Sequence, residues 1–407
     1  MPFRSYRVAA GLFVAALALT ACQAPQPEEL PTAPSPTMDE AAPCPPGDLL
    51  IETTTSDQPL LDAQSVDYSA SCQNRARLTV GSARDGGTTS FVNGLVHIAG
   101  TDTPLDEESL RQAEVRCLRH PAWHLPVAAD PIAIVYRIDG VDTLTLGPGT
   151  LAKVFSGVIT HWNDPEILAA NPGATLPDER IEVFFRSGRT GATRALGDYL
   201  NRAAPEAWPV GGTPSWRGAG QARGSAKEVF DAVGSTANGI GYVEQSQFPQ
   251  PVATPTPSPS PTPTPSPADT ESPGTVSSPG ATARTATPTP EPDETTEPSL
   301  LRLLQDEPLA LTADTAQRGV EALLPAGDGH DLVLPAPETA ADAWPIARIS
   351  YQVVCSAAPR SDLAPLERDW VTYLVADETQ AELAESGRVA LSPAVRERVR
   401  AAVDALS

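Results

Sequence analysis

A chain of 407 residues, 41% of them hydrophobic, is long enough for two to four average domains and can bury a substantial core. Its 28 basic and 51 acidic residues give a net charge of −23, which excludes a nucleic-acid binder because no basic stripe is available to displace counterions from phosphates. A small anionic ligand stays open, since backbone amides and one or two arginines can set the local potential against the global sign. The five cysteines include no C-x-x-C pair, which argues against a structural zinc site.

Arg4 and Arg7 precede an apolar run from Val8 to Leu19, followed by Leu19-Thr20-Ala21-Cys22. A basic start, about a dozen apolar residues and small residues before the cut predict an export signal over residues 1–21. The run is shorter than the roughly 20 residues of a membrane span. Leu-Thr-Ala-Cys resembles the bacterial lipobox, so Cys22 is expected to carry lipid and anchor an exported protein to the bacterial membrane. Residues 22–46, rich in Pro, Glu, Thr and Ser, read as a tether. Four cysteines remain, Cys44, Cys72, Cys117 and Cys355, and in an oxidising compartment they permit two disulfides in three pairings. Cys44 and Cys72 each lie shortly before a predicted strand (Leu49 to Glu52, Arg77 to Val80), which favours that pair.

Further along, Ile132 to Tyr136 and Val183 to Phe185 read as strands. Ser109 to Arg116, Gly147 to Ser156, Thr193 to Leu200 and Ala364 to Leu374 read as helices. Strands alternating with helices indicate an α/β chain with mainly parallel strands, in which ligands sit at the carboxyl ends of strands. Four strand-to-helix turns carry the hydroxyls, glycines and charges that suit an oxyanion: Glu52-Thr-Thr-Thr-Ser56, Gly81-Ser-Ala-Arg-Asp-Gly-Gly-Thr88, Ala99-Gly-Thr-Asp-Thr-Pro-Leu105, and Arg186-Ser-Gly-Arg-Thr-Gly-Ala-Thr193. Each alone is also what an ordinary helix cap looks like. No Walker A loop and no Gly-x-Ser-x-Gly elbow is present. His120 and His124 bracket Pro121 without acidic neighbours in sequence, so no metal site is expected, and the six tryptophans are scattered. From about Pro249 to Pro298 the chain becomes a Thr-Pro and Ser-Pro repeat that reads as a disordered insertion.

The run from Leu151 to Ile167, Leu-Ala-Lys-Val-Phe-Ser-Gly-Val-Ile-Thr-His-Trp-Asn-Asp-Pro-Glu-Ile, continues to Asn171-Pro-Gly and Leu176-Pro. With Gly100-Thr-Asp-Thr-Pro-Leu105, Asn238-Gly-Ile-Gly-Tyr-Val-Glu244 and Ala343-Trp-Pro-Ile346, it resembles the phosphate-binding proteins that serve the phosphate-specific ABC importer. The resemblance implies a two-lobed, periplasmic-binding-protein-like (type II) α/β fold with a ligand cleft between lobes. Lobe one would be 47–137 plus 347–407, lobe two 138–248 plus 299–346, and 249–298 a disordered Thr/Ser/Pro-rich insertion. The strand Pro131 to Tyr136 would leave lobe one and Arg348 to Val354 return to it; run antiparallel, they would bring Cys117 to Cys355.

The implied ligand is inorganic phosphate, the implied partners are the permease subunits of an ABC importer, and a monomer that binds without cofactor or catalysis is expected. Thr55, Ser56, Asp102, Arg186, Thr190 and Gly191 match the family's phosphate site, and Arg84 is a further candidate, standing in the second loop where a Ser or Thr is usual. Asp102 would accept the proton of a protonated phosphate, and fully ionised sulfate would be repelled. The chain departs from the pattern at Gly188, where an acidic partner for the arginine is usual, and at Ala192, where a hydroxyl is lost. Arg84 and Asp85 stand in the second loop, Asp57 adds a carboxylate, and Arg84 and Arg189 are available to compensate. Three readings follow: phosphate receptor, a diverged surface sensor or binder of another oxyanion, and, more weakly, a phosphohydrolase.

Overall fold

Three successive β-α units open the structure, and the long strand that follows changes its pairing at its prolines. The computed structural model describes residues 44–247, 297–325, 327–336 and 340–407. The export signal, Cys22, the tether up to residue 43 and the repeat from 248 to 296 lie outside the described residues.

In chain order the first elements are β1 (Gly47–Thr53), α1 (Gln58–Ser71), β2 (Ala76–Ser82), α2 (Thr88–Val92), β3 (Ile98–Thr101) and α3 (Glu107–Arg116). Next come β4 (Ala122–Arg137), β5 (Thr145–Leu146), α4 (Pro148–Ser156), α5 (Pro165–Ala170), β6 (Glu182–Arg186), α6 (Gly191–Ala203), β7 (Gln221–Arg223), α7 (Ala226–Ser235) and β8 (Gly239–Glu244). The chain is described again in β9 (Ser299–Leu300), β10 (Arg302–Leu304), β11 (Pro308–Leu309), α8 (Ala313–Glu321), β12 (Ala347–Cys355), α9 (Ala364–Leu374), α10 (Asp377–Glu382) and α11 (Pro393–Asp404). No helix among the described residues is long and apolar enough to cross a membrane.

Among the described residues the main sheet runs β2-β1-β3-β12-β4-β8-β6-β7, with β9 also paired to β4. Strands β1, β2 and β3 are mutually parallel, as are β6, β7 and β8, so each half is a β-α layer whose helices cover its faces. The halves meet through the antiparallel strands β12 and β4. This is the expected two-lobed α/β fold.

Strand β4 is 16 residues long and buried at all but two positions. Its first part pairs with β12 and its second, from Ile132, with β8. The partner of Arg348–Val354 is therefore Trp123–Asp130, and not the Pro131–Tyr136 segment expected from the sequence. Proline cannot donate to a ladder and is found at bulges and strand edges. Pro126 sits where the β12 register shifts between Ser350 and Tyr351, and Pro131 sits where β4 changes partner.

Both expected disulfides are formed: Cys44–Cys72 and Cys117–Cys355, each with Cα atoms 5.4 Å apart. One hydrophobic cluster runs through both halves, from Leu49 and Ile51 to Phe184, Leu196 and Tyr242. Trp162, Trp344 and Trp370 are fully buried, which fits tryptophans used for packing.

Candidate functional site

The four turns picked out in the sequence converge. A cavity of about 220 Å³ is lined by Thr54, Thr55 and Ser56 after β1, Arg84 after β2, Asp102 after β3, and the run Arg186–Thr190 after β6, with Gly224 closing it. Six of the seven expected site residues line it: Thr55, Ser56, Arg84, Asp102, Arg186 and Thr190. Gly191 stands one step behind, lining a smaller cavity of about 60 Å³ on the far side of Asp102.

Arg186 ends β6 and is 4% exposed. Its Nη1 donates to both carboxylate oxygens of Glu244 at 3.2 Å, while its Nε has no hydrogen-bond partner. A buried guanidinium donor without an acceptor is costly unless something else occupies the space in front of it. Glu244 supplies the acidic partner for Arg186 that the loop itself lacks at Gly188. Strands β6 and β8 are parallel neighbours, and this places the end of β8 beside the end of β6. Gly188 itself has φ +84°, a left-handed conformation in which an acidic side chain would be strained. Glu244 also accepts from Ser56 Oγ at 2.9 Å, so the Ser56 hydroxyl is turned to this carboxylate. Burial alone would raise the Glu244 pKa, but Arg186 and Arg348 outweigh it and hold it below the ordinary range.

Thr190 caps α6, accepting from the Thr193 N–H at 3.2 Å and donating to Thr193 Oγ1 at 2.8 Å. The next residue, Gly191, offers its N–H to the Asp102 carboxyl. A Cβ at Gly191 would lie 2.5 Å from the Asp102 carbonyl oxygen and 2.8 Å from its Cβ, so only glycine allows α6 to dock this closely. Burial pushes Asp102 up to about 6, with the charges of Asp57 and Glu244 adding to the rise and Arg348 and the Gly191 N–H opposing it. Ala192, where a hydroxyl was expected, is fully buried in the core.

Behind the cavity lies a charge network of which only Asp57 was singled out in the sequence. Arg348 on β12 is 0% exposed in its side chain and grips Asp57 through two bonds of 2.9 and 2.8 Å. It also reaches Asp130 on β4 at 3.1 Å. Arg388 donates to the Ser56 carbonyl at 3.0 Å and lies 3.7 Å from Asp57. Despite its burial, Asp57 is brought down to about 2 by Arg348 and Arg388, whereas Asp130 is raised, chiefly by burial. Asp57 is thus engaged away from the cavity and its charge is matched. Asp85 does not offer itself to the cavity either: its carboxylate accepts the N–H groups of Gly87 at 3.2 Å and Thr89 at 2.9 Å. Neither arrangement has a local sequence signal, because the partners lie hundreds of residues apart or in the backbone.

His124 does have an acidic neighbour in space. Its Nδ1 is 2.7 Å from Asp331, and its Nε2 accepts the Leu105 N–H at 3.0 Å, steadying the turn that carries Asp102. Cys44, Cys72 and Asp369 are the one group of potential metal ligands gathered among the described residues, and both sulfurs are taken by the disulfide.

The profile of the PBP superfamily domain matches residues 32–256. A Mycobacterium tuberculosis protein named Phosphate-binding protein PstS 3 is 28% identical over 326 residues, spanning 79% of this chain and 76% of that one. A Xylella fastidiosa protein, Phosphate-binding protein PstS, is 32% identical over 192 residues, 46% of this chain and 50% of its own. Among solved structures, a high affinity periplasmic phosphate-binding protein bound with phosphate has a TM-score of 0.60 at 18% identity, covering 87% of this chain and 93% of that one. The phosphate binding protein from Stenotrophomonas maltophilia has a TM-score of 0.55 at 15% identity, with the same coverage. These structural likenesses are of fold.

Proposed function

The chain belongs to the PBP superfamily, and from that premise we propose that it captures inorganic phosphate and delivers it to the permease of an ABC importer. The observation that carries this reading is the pairing, in one cavity of about 220 Å³, of a buried arginine whose Nε lacks an acceptor with a part-buried aspartate. Arg186 supplies charge and directed donors to one or two phosphate oxygens. The Thr55 hydroxyl and the backbone N–H groups of the turns after β1 and β6 supply neutral donors, and the positive end of α6 adds to them. Asp102, ionised at neutral pH, has only lone pairs to offer and accepts the proton of a monoprotonated phosphate. Sulfate, equal in shape and fully ionised, would set oxygen against oxygen there. Binding takes place without covalent chemistry.

In this reading residues 47–137 with 347–407 form one lobe and 138–248 with 299–346 the other. Strands β4 and β12 act as the hinge about which the lobes close on the anion. Cys22 carries the lipid that anchors the exported monomer, with the segment after it as tether. Support for the ligand comes from the names of the curated relatives, Phosphate-binding protein PstS 3 and PstS.

Titration calorimetry on phosphate-free protein tests the ligand. One phosphate per chain should bind, with sulfate weaker by about 1,000-fold or more, as expected when a buried polar group loses its partner. Arg186→Met should abolish the heat of phosphate. Equal binding of the two anions would remove the role given to Asp102. Release of the cell-associated protein from a Cys22→Ala strain into the medium would support the anchor, and unchanged membrane association would oppose it.

A further inference from the structure

Two guanidinium groups in the cleft are not needed by the reading above. Arg84, between β2 and α2, and Arg189, between β6 and α6, are both exposed, and neither makes a hydrogen bond or ion pair with the described residues. Both line the cavity that holds Arg186, and both also line an adjoining cavity of about 200 Å³. Arg84, Asp102 and Arg189 are the three residues common to the two spaces. A single tetrahedral oxyanion has roughly the bulk of two or three waters at about 30 Å³ each, so one cavity already exceeds what it fills. The second is left over, lined by two guanidinium groups that make no contact ion pair with the described residues.

Three acids also line the second cavity: Asp102, shared with the first, and Asp85 and Asp106, whose carboxylates are turned to backbone N–H groups. Asp85 is bonded to the N–H groups of Gly87 and Thr89, and Asp106 accepts the Ser109 N–H at 3.0 Å as the cap of α3. Both stay below the ordinary carboxylate range: Asp85 because its hydrogen bonds outweigh burial, Asp106 chiefly through the Ser109 bond, with Arg189 adding to it. Thr88, Thr89, Thr103 and Ser109 complete the walls with hydroxyls. The Asp85 and Asp106 carboxylates are thus turned to backbone N–H groups and form no contact ion pair with Arg84 or Arg189, although Arg189 lies within electrostatic reach of Asp106.

We infer that the cleft also takes a condensed phosphate of the pyrophosphate class. This rests on the phosphate reading of the first cavity and extends it. One phosphoryl group occupies that cavity, against Arg186, with its proton directed to Asp102. The second lies between Arg84 and Arg189 in the adjoining space. A phosphate monoester would place an uncharged tail between the arginines and gain nothing from them, so the pair selects for a second anionic group.

Competition calorimetry on the full chain, with orthophosphate, pyrophosphate and glycerol 3-phosphate as probes, tests this. Pyrophosphate should bind one per chain and be displaced by orthophosphate. In Arg189→Gln and Arg84→Gln the affinity ratio of pyrophosphate to orthophosphate should fall by about 10-fold or more, the scale of one lost charge-assisted contact. Arg189→Lys, which keeps the charge, should restore most of the ratio, and the ratio for glycerol 3-phosphate should not move. Orthophosphate binding without pyrophosphate binding overturns the inference and spares the phosphate reading. An equal loss of both anions in the variants also overturns it, because the arginines would then serve the first site alone. Failure of both anions to bind the wild-type chain overturns the phosphate reading itself.

Discussion

Asp102 has opposite effects on the empty and on the occupied cleft. Its pKa is raised from the ordinary 3.8 to about 6 by burial and by neighbouring carboxylates, so the folded chain holds the proton more tightly than the unfolded one. The contribution to stability is then complete below about pH 3.8 and is lost as pH rises through about 6. A shift of roughly two units corresponds to about 3 kcal/mol at most, and partial exposure to the cavity reduces it. Asp102→Asn should therefore stabilise the ligand-free protein at pH 7.5 by about 1–3 kcal/mol while weakening phosphate by about 100-fold. Urea unfolding at several pH values, paired with calorimetry, checks both signs; a less stable variant would contradict the account. In the wild type, phosphate affinity should also decline as pH falls below about 6, when the acceptor becomes protonated. Asp57 behaves in the reverse way. Held down at about 2 by Arg348 and Arg388, it stabilises the fold above about 3.8, and that support disappears as pH falls through about 2.

The N-terminus of α6 is the element on which the cavity closes. Gly191→Ala would set a methyl group 2.5 Å from the Asp102 carbonyl oxygen, and the helix must retreat from the β3 turn. A loss of about 10-fold or more in phosphate affinity, with an unfolding free energy lowered by only about 1–2 kcal/mol, is expected, because the clash falls where the first turn of α6 meets the turn after β3 at the cavity wall. Unchanged affinity would show that α6 need not approach Asp102. Where local chemistry decides an element, the sequence was a good guide. Ala364–Leu374 is a helix over the predicted residues, and the turns after β1, β2, β3 and β6 meet as expected. Local pattern failed in β4, of which only Ile132 to Tyr136 was legible as strand: Pro126 and Pro131 lie within one continuous strand because a bulge and a change of partner absorb them. It failed again for Glu244. That residue lay inside a recognised motif, but its task depends on the pairing of β6 with β8 across more than 50 residues of chain. Arg348 and Asp130, on strands β12 and β4 that pair across more than 200 residues of chain, carried no local signal at all.

At the scale of the molecule, Cys44–Ser407 forms one compact unit with a core cluster that spans both halves of the sheet. Unfolding should therefore be a single cooperative transition, in spite of the cleft. Phosphate at 100 times its dissociation constant should raise the stability of the whole by about 2.7 kcal/mol, moving one calorimetric peak upward intact. Two peaks, of which phosphate moves only one, would show that the halves melt independently. The counterion of Arg186 stands at the end of β8 and not in the anion loop itself. Once Glu244 answers for Arg186 from a neighbouring strand, position 188 is released from its electrostatic duty and can drift. A search keyed to an acid in that loop would overlook a cleft whose guanidinium is neutralised from the next strand.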